Sequence, residues 1–448
     1  MTAVTDAEEL TTVGSEVPVS LLERWPSLSH EERITEFKAL LRTDAEDLFL
    51  NLHAQEQNEI YSELTPAERR SWIRLLAPDD VADLIQLFAA ENRPAALALL
   101  DDFTRTEVVA LLAYSEDEAG GLMSSRFIRL RPEMAADEAI HYLRAQMKAP
   151  SIEVVYYAYV LDTSQKLLGV VSFRQLMLSP PAKAVRDIMT TEVISIPEDM
   201  DQEEVSKKFA QHDLMAIPVV DAENKMKGII TFDDVVDVVK EEATEDIQKL
   251  GAVQVMDMPY LRTPFLQLIQ KRAGWLIVLF IGEMFTATAI GHYESEIAKA
   301  VVLALFIPLI ISSGGNSGSQ ASTLIIRSLA LGELRIEDWW KVLKREILSG
   351  LVLGLILGLI CAARIYLWPN RDQLYGEHYV LLGIAVSISV LFVVLWGATV
   401  GSMLPLALRK LDFDPATASA PLVATLVDVT GLIIYFTIAR VVLNGSLF

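Results

Sequence analysis

Cysteine is almost missing from this chain: Cys361 is the only one in 448 residues. An internal disulfide is therefore excluded, which suits a reducing compartment. Histidine is scarce too, with six in all, and no Cys/His cluster has the spacing of a zinc site. No Walker A loop is present to cradle nucleotide phosphates. No nucleophile and base can be placed together. These absences argue against an enzyme. Positive charge is also short, with 38 Lys and Arg against 60 Asp and Glu and a net charge of −22. The shortage is local. Residues 263–448 hold 13 basic and 12 acidic residues, which leaves 25 and 48 for residues 1–262. So acidic a front half repels nucleic acid and anionic lipid and attracts cations. The first 30 residues lack both a basic segment and an apolar core, so no cleavable signal peptide is expected.

What the chain does have is apolar length. Five long apolar spans lie at roughly 273–292, 297–330, 341–367, 379–409 and 415–444. A bilayer needs about 20 apolar residues per helix. The connections alternate in charge. Lys271 and Arg272 precede the first span, Arg327, Arg335, Lys341, Lys344 and Arg345 surround the second connection, and Arg409 with Lys410 fills the fourth. The other connections pair Lys299 with Glu294 and Glu296, and Arg371 with Asp372 and Glu377. The positive-inside rule then places the acidic front half in the cytosol and the C-terminus outside, as a multi-pass protein of the cell (inner) membrane.

Asp428 lies midway along the fifth span. A carboxylate at that depth costs about 2.5–3.5 kcal/mol on insertion scales and usually marks an ion path. Small residues such as Ala424 and Gly431 share its neighbourhood and leave room for water or a close helix. Mg²⁺ gives up its water reluctantly and is commonly held through it by one or two carboxylates. One Asp per chain, doubled by a twofold axis, suits such an ion. The second span holds Pro308 and then Ser-Ser-Gly-Gly-Asn-Ser-Gly-Ser-Gln at 312–320. Its polar backbone reads either as a pore lining or as a helix-packing surface. Glu283 lies inside the first span and can pair with another helix.

Ahead of the spans, residues 21–121 read as a series of short helices that form a small superhelix, behind a disordered 1–20. Thr65-Pro66 and Ala77-Pro78 are helix starts. Residues 122–240 are duplicated. Val160-Leu161-Asp162, Gly169 and Phe173 return 59 residues later as Val219-Val220-Asp221, Gly228 and Phe232; Met123 and Met134 match Met189 and Met200. Strands are expected at Val154–Leu161, Leu168–Ser172, Ala216–Val220 and Gly228–Thr231. This duplication resembles a tandem pair of cystathionine-β-synthase (CBS) domains, at 122–183 and 184–240. A polar linking helix over 241–272 joins it to the membrane part, 273–448. The fold class is thus a multi-domain membrane protein: an all-α superhelical front, an α/β CBS pair, a linking (plug) helix and five transmembrane helices.

Four motifs in order extend the resemblance: Glu-Asp-Glu-Ala-Gly-Gly-Leu-Met at 116–123, Glu-Ala-Thr-Glu-Asp-Ile-Gln-Lys-Leu-Gly-Ala-Val at 242–253, Gly-Gly-Asn-Ser-Gly-Ser-Gln at 314–320, and Pro-Leu-Val-Ala-Thr-Leu-Val-Asp-Val-Thr-Gly at 421–431. Over nearly its full length the chain resembles the MgtE family of bacterial magnesium channels. The resemblance implies a homodimer that conducts Mg²⁺ along its twofold axis, with hydrated Mg²⁺ at Asp428 beside Ala424. Ala420 stands where the family has Asn, which implies a less polar outer filter. The resemblance further implies that cytosolic Mg²⁺ closes the pore by binding at Asp414, Glu59, Asp79, Asp83, the Gly121 carbonyl, Asp201, Glu203, the Ala210 carbonyl, Asp213, Asp234, Asp237, Glu242, Glu245 and Asp246. An ATP site near Arg174 and Leu214 is implied as well, although Gln175 replaces an expected acidic residue. From the residues alone, the acidic row Asp234, Asp237, Glu241 and Glu245 is also explained as a solvated face. Two rival functions stay open: a divalent-cation exchanger coupled to H⁺ or Na⁺, and a membrane-anchored nucleotide sensor.

Overall fold

The computed structural model describes residues 21, 24–146, 156–256, 258–299 and 301–443. The expected disordered 1–20 and the expected strand start at Val154 lie outside the described residues. The chain divides into two units, residues 1–241 and 242–448.

The first unit opens with short helices because the sequence keeps supplying new N-caps. They are α1 (His30–Ala39), α2 (Arg42–Leu50), α3 (Ala54–Ser62), α4 (Pro66–Ile73), α5 (Pro78–Gln86), α6 (Arg93–Leu97), α7 (Asp102–Leu111) and α8 (Ala119–Leu122). Ser29 with Glu32, and Thr65 with Glu68, form reciprocal capping boxes, and Pro66 and Pro78 take first-turn positions where no N–H is needed. Phe37, Phe49 and Trp72 pack ring to ring at 5.0–6.4 Å in the core of this layer. Arg33 is buried there. Its guanidinium donates to Glu56 at 3.1 Å, Glu59 at 3.3 Å and the Trp25 carbonyl.

Two repeats of one design follow. β1 (Arg129–Leu130) runs parallel to β2 (Tyr157–Leu161), which pairs antiparallel with β3 (Leu167–Ser172); β4 (Ile196–Pro197), β5 (Ala216–Val220) and β6 (Met226–Thr231) repeat the order. Helices α9 (Ala136–Gln146) and α10 (Phe173–Leu178) belong to the first repeat, α11 (Gln202–His212) and the start of α12 (Phe232–Leu250) to the second. The repeated Gly and Met residues have a shared task. A Cβ at Gly169 would lie 2.8 Å from Met189 Sδ, and one at Gly228 would lie 2.8 Å from Met123 Sδ and 2.6 Å from the Ser124 carbonyl. Each repeat's leading Met thus crosses onto the other repeat's glycine, which explains why the two residues were duplicated together.

The second unit carries α13 (Phe265–His292), α14 (Glu294–Lys299), α15 (Ile307–Ala330), α16 (Trp339–Tyr366), α17 (Arg371–Tyr375), α18 (Tyr379–Lys410) and α19 (Ala420–Leu443). Among the described residues, five helical segments are long and apolar enough to cross a membrane: 265–292, 301–330, 336–366, 379–410 and 420–443. Compared with the sequence reading, the first helix starts earlier, at Phe265. The fifth starts later, at Ala420, because Asp414 caps a separate 3₁₀ turn at Pro415–Thr417.

Glycine sets the helix spacing. Gly350, Gly354 and Gly358 recur every four residues on α16 and lie against the α18 backbone at Leu395, Leu391 and Ser387. Gly314 and Gly318 of α15 lie against Val393 and Gly397 of α18 and against Val427 and Val423 of α19. Small residues at four-residue intervals allow this approach in lipid. The 312–320 segment is therefore regular helix, and the packing reading holds for its glycine face. Pro308 sits in the first turn of α15, where its missing N–H leaves no interior bond unmade.

Candidate cation sites

The α15–α19 contact places Asp428 beside Gly315. Ala424 Cβ lies 3.4 Å from the position a Cβ would take at Gly315, and Asp428 Oδ1 lies 3.8 Å from the same point. A methyl at 315 would make ordinary contact with both. Asp428 is half-buried, and among the described residues no hydrogen-bond or ion-pair partner reaches it. Flanking Gly315 on the same helix, Ser312, Asn316 and Gln320 recur four residues apart and are all exposed. Asn316 Nδ2 donates to Ser312 Oγ at 3.3 Å. Ser319 and Ser322 instead tie α15 to the chain entering α19, donating to the carbonyls of Ala420 and Ala418 at 3.2 and 2.8 Å. Thr425 is turned inward, its hydroxyl donating to the Pro421 carbonyl at 3.0 Å. Ala424 contributes a methyl contact. Ala420 is the first residue of α19, eight positions before Asp428.

The membrane-proximal acidic residues are not vacant ligands. Lys249, at the end of α12, donates to Asp414 Oδ2 at 2.5 Å and also pairs with Glu245 one turn back. Burial alone would lower the Lys249 pKa, but the hydrogen bonds to Asp414 and Glu245 outweigh it and hold the ammonium above its ordinary range. A tethered cation thus stands between the two carboxylates read as Mg²⁺ ligands. Glu242 and Asp246 lie on the same helix.

In the first unit, Asp79, Asp83 and Asp234 do come together. Asp83 is an exposed residue whose carboxyl lies near Asp79, Glu116, Asp234 and Glu241. Loss of hydration pushes its pKa up to about 7, reinforced by Asp79, Glu116, Asp234 and Glu241. Glu241 is raised by partial burial; His53 opposes the rise, and Asp237, Asp117 and Glu116 add to it. Asp237 faces Lys240 at 2.8 Å and His53 at 3.9 Å, and Asp234 accepts from the Thr231 hydroxyl and N–H.

The other expected ligands lie apart. Glu59 is held by Arg33, and Glu203 by Lys207 at 2.7 Å. Asp201 caps α11 by accepting from the Glu203 N–H. Ala210 and Asp213 are at the exposed far end of α11, where Asp213 takes a left-handed φ of 50°. Gly121 is packed onto the Ser115 carbonyl. Among the described residues, no three His, Cys, Asp or Glu side chains stand close enough to hold a metal together. Arg174 is exposed and Leu214 half-buried. Gln175 is used as a helix cap, accepting from the Ser172 N–H and hydroxyl.

Sequence reasoning missed two cations, Lys249 and Arg33. Lys249 follows Glu245 by four residues, a spacing that announces an ion pair. Arg33 carried no local signal, because Glu56 and Glu59 lie on a different helix.

Comparison with known proteins decides the family. Residues 307–438 match the model of the MgtE divalent cation transporter, residues 185–241 that of the CBS domain, and residues 17–117 that of the MgtE intracellular N domain. The magnesium transporter MgtE of Thermus thermophilus is 40% identical over 98% of this chain and 96% of its own length. The chain belongs to the MgtE family of magnesium transporters. MgtE of Enterococcus faecalis is 31% identical over 91% of this chain and 97% of its own. A crystal structure of the cytosolic domain of the Mg²⁺ channel MgtE in complex with ATP is 37% identical, covering 50% of this chain and 91% of that one, with a TM-score of 0.47. These relatives transport Mg²⁺ and are not enzymes. The chain is accordingly a magnesium transporter of the membrane.

Proposed function

We propose that this protein works as a Mg²⁺-selective channel for magnesium uptake. Two chains would form a homodimer, with both Asp428 carboxylates facing one water-filled path on the twofold axis. The observation that carries this reading is the exposed Ser312–Asn316–Gln320 row beside the unpaired Asp428, all inside apolar helices. Such groups are costly against acyl chains and are met where they line water or another protein surface. The half-buried carboxylate and its amide and hydroxyl neighbours suit an ion that keeps its water, as Mg²⁺ does. The loop charges support a cytosolic front half and an external C-terminus.

For gating, the reading rests on electrostatics. The Asp79–Asp83–Asp234 group repels itself when ionised, and Mg²⁺ drawn to these acidic faces would favour a more compact cytosolic part. A ligand shifts such a balance only through unequal affinity for the two states. Low Mg²⁺ would leave the acidic elements apart and the pore open; high Mg²⁺ would draw them together and close it.

Proteoliposomes test the transport claim. Mg²⁺ flux should follow the Mg²⁺ electrochemical gradient and ignore imposed H⁺ or Na⁺ gradients. Flux driven uphill by either gradient would establish an exchanger instead. For gating, proteolysis within 242–262 should slow as Mg²⁺ is added. Cleavage rates indifferent to Mg²⁺ would remove the gating scheme and leave the channel.

A further inference from the structure

A second carboxylate in the membrane helices has no role so far. Glu283 of α13 is exposed, and among the described residues it has no hydrogen-bond or ion-pair partner. It directly follows Gly282, which packs against Thr425 of α19, about one turn before Asp428. The alignment of α13 with α19 fixes how they meet. A Cβ at Gly282 would lie 2.7 Å from Thr425 Cγ2, and the rings of Tyr293 and Phe436 stack at 4.8 Å. Both contacts join residues with the same sequence separation, so the helices run parallel and level. Thr286, one turn beyond Gly282 on the same face, therefore lies level with Val429, next to Asp428. Its side chain is 4% exposed, and its hydroxyl has no partner. A buried, unpartnered hydroxyl is unusual and calls for a ligand or an ordered water.

We propose that Glu283 is a second cation-facing carboxylate, so that a hydrated divalent ion at Asp428 is also attracted from α13, with the Thr286 hydroxyl bonding to one of its waters. This rests on Asp428 lining the ion path. Three helices then converge on one polar zone: α15 with its amide and hydroxyls, α19 with Asp428, and α13 with Glu283 and Thr286. The family-model match begins at residue 307, after α13, so nothing in that match assigns Glu283 a part. A lone Asp per chain draws any cation. A second charge favours a divalent ion over a monovalent one, because Coulomb attraction grows with ionic charge.

The test is flux of the full chain in liposomes, read as the ratio of Mg²⁺ to Na⁺ permeation. Glu283→Gln should lower that ratio about tenfold, the attraction expected between a water-separated divalent ion and one carboxylate. Thr286→Val should lower Mg²⁺ flux about twofold to fivefold, as for one lost water-mediated hydrogen bond. An unchanged ratio in a folded Glu283→Gln protein would overturn the proposal. Should that variant not fold, Glu283→Leu removes the charge with a side chain that suits an apolar helix; an unchanged ratio there would overturn it equally. Asp428→Ala separates the two readings. Full Mg²⁺ flux in Asp428→Ala removes the path itself, whereas lost flux there with a wild-type ratio in Glu283→Gln removes only Glu283.

Discussion

Replacing Gly354 by alanine tests the helix packing that holds the ion path in place. The new Cβ would lie 2.7 Å from the Leu391 carbonyl oxygen and 2.9 Å from its Cα, whereas ordinary contact begins at 3.4 Å. Both atoms are backbone, so no rotamer change relieves the clash and α16 must retreat from α18 by about 0.7 Å. Overpacking of this kind costs about 1–3 kcal/mol. Alanine gains roughly 0.5–1 kcal/mol over glycine in a helix. The net loss is about 1 kcal/mol at mid-range and at most about 2.5 kcal/mol, or roughly 2–10 °C in the unfolding midpoint. Gly291→Ala is the control. Nothing lies within 4 Å of its Cβ position, so it should match the wild type or exceed it by a few degrees. Cys361 makes the assay simple. It is the single cysteine, is buried, and lies two turns beyond Gly354 on the same helix. A thiol-reactive fluorophore therefore reports melting of this interface in detergent at a fixed heating rate. A Gly354→Ala midpoint at or above the wild type, with Gly291→Ala behaving as stated, would refute the close α16–α18 contact.

Other outcomes follow from the charged groups. Lys249→Gln should free the end of α12 from Asp414 and speed proteolysis within 242–262 roughly fivefold, the equivalent of about 1 kcal/mol for a partly exposed ion-pair network; an unchanged rate would mean the clasp does not hold. Arg33→Met should destabilise the front helices by about 2–4 kcal/mol, since it removes the buried guanidinium that Glu56 and Glu59 share, and a thermal melt showing no early transition would contradict that. For Asp83, the folded pKa of about 7 stands above the usual carboxylate value. The folded state then holds more protons than the unfolded one between about pH 4 and 7, so this group lowers stability as pH rises through that window and does so fully above it. Asp83→Asn should therefore raise the metal-free melting temperature at pH 8, with the gain shrinking toward pH 5; a gain independent of pH would place its origin elsewhere.

The parts of the molecule that the sequence disclosed are those with local or periodic causes. Thr65 and Pro66 announced a helix start because capping chemistry acts within one turn. The Met123/Met189 and Gly169/Gly228 pairs announced a duplicated fold because each pair fills one recurring contact. Asp428 stood out because a charge in an apolar run needs a reason. What stayed hidden depends on which helix faces which. The glycines of 314–318 pack while Ser312, Asn316 and Gln320 of the same helix stay exposed, a division that only the position of α18 and α19 decides. Residue type alone likewise did not separate Glu59, taken by Arg33, from Asp83, which faces other carboxylates. Glu245 and Asp414 were each read as a cation ligand, and only the fold shows that both reach the Lys249 ammonium.

The most direct test of the account is Mg²⁺ uptake into liposomes containing Asp428→Ala at the same protein density and orientation as the wild type. Loss of nearly all Mg²⁺ flux in a variant with an unchanged melting temperature is the predicted result. Selective Mg²⁺ flux at the wild-type rate would show that the ion does not pass this carboxylate.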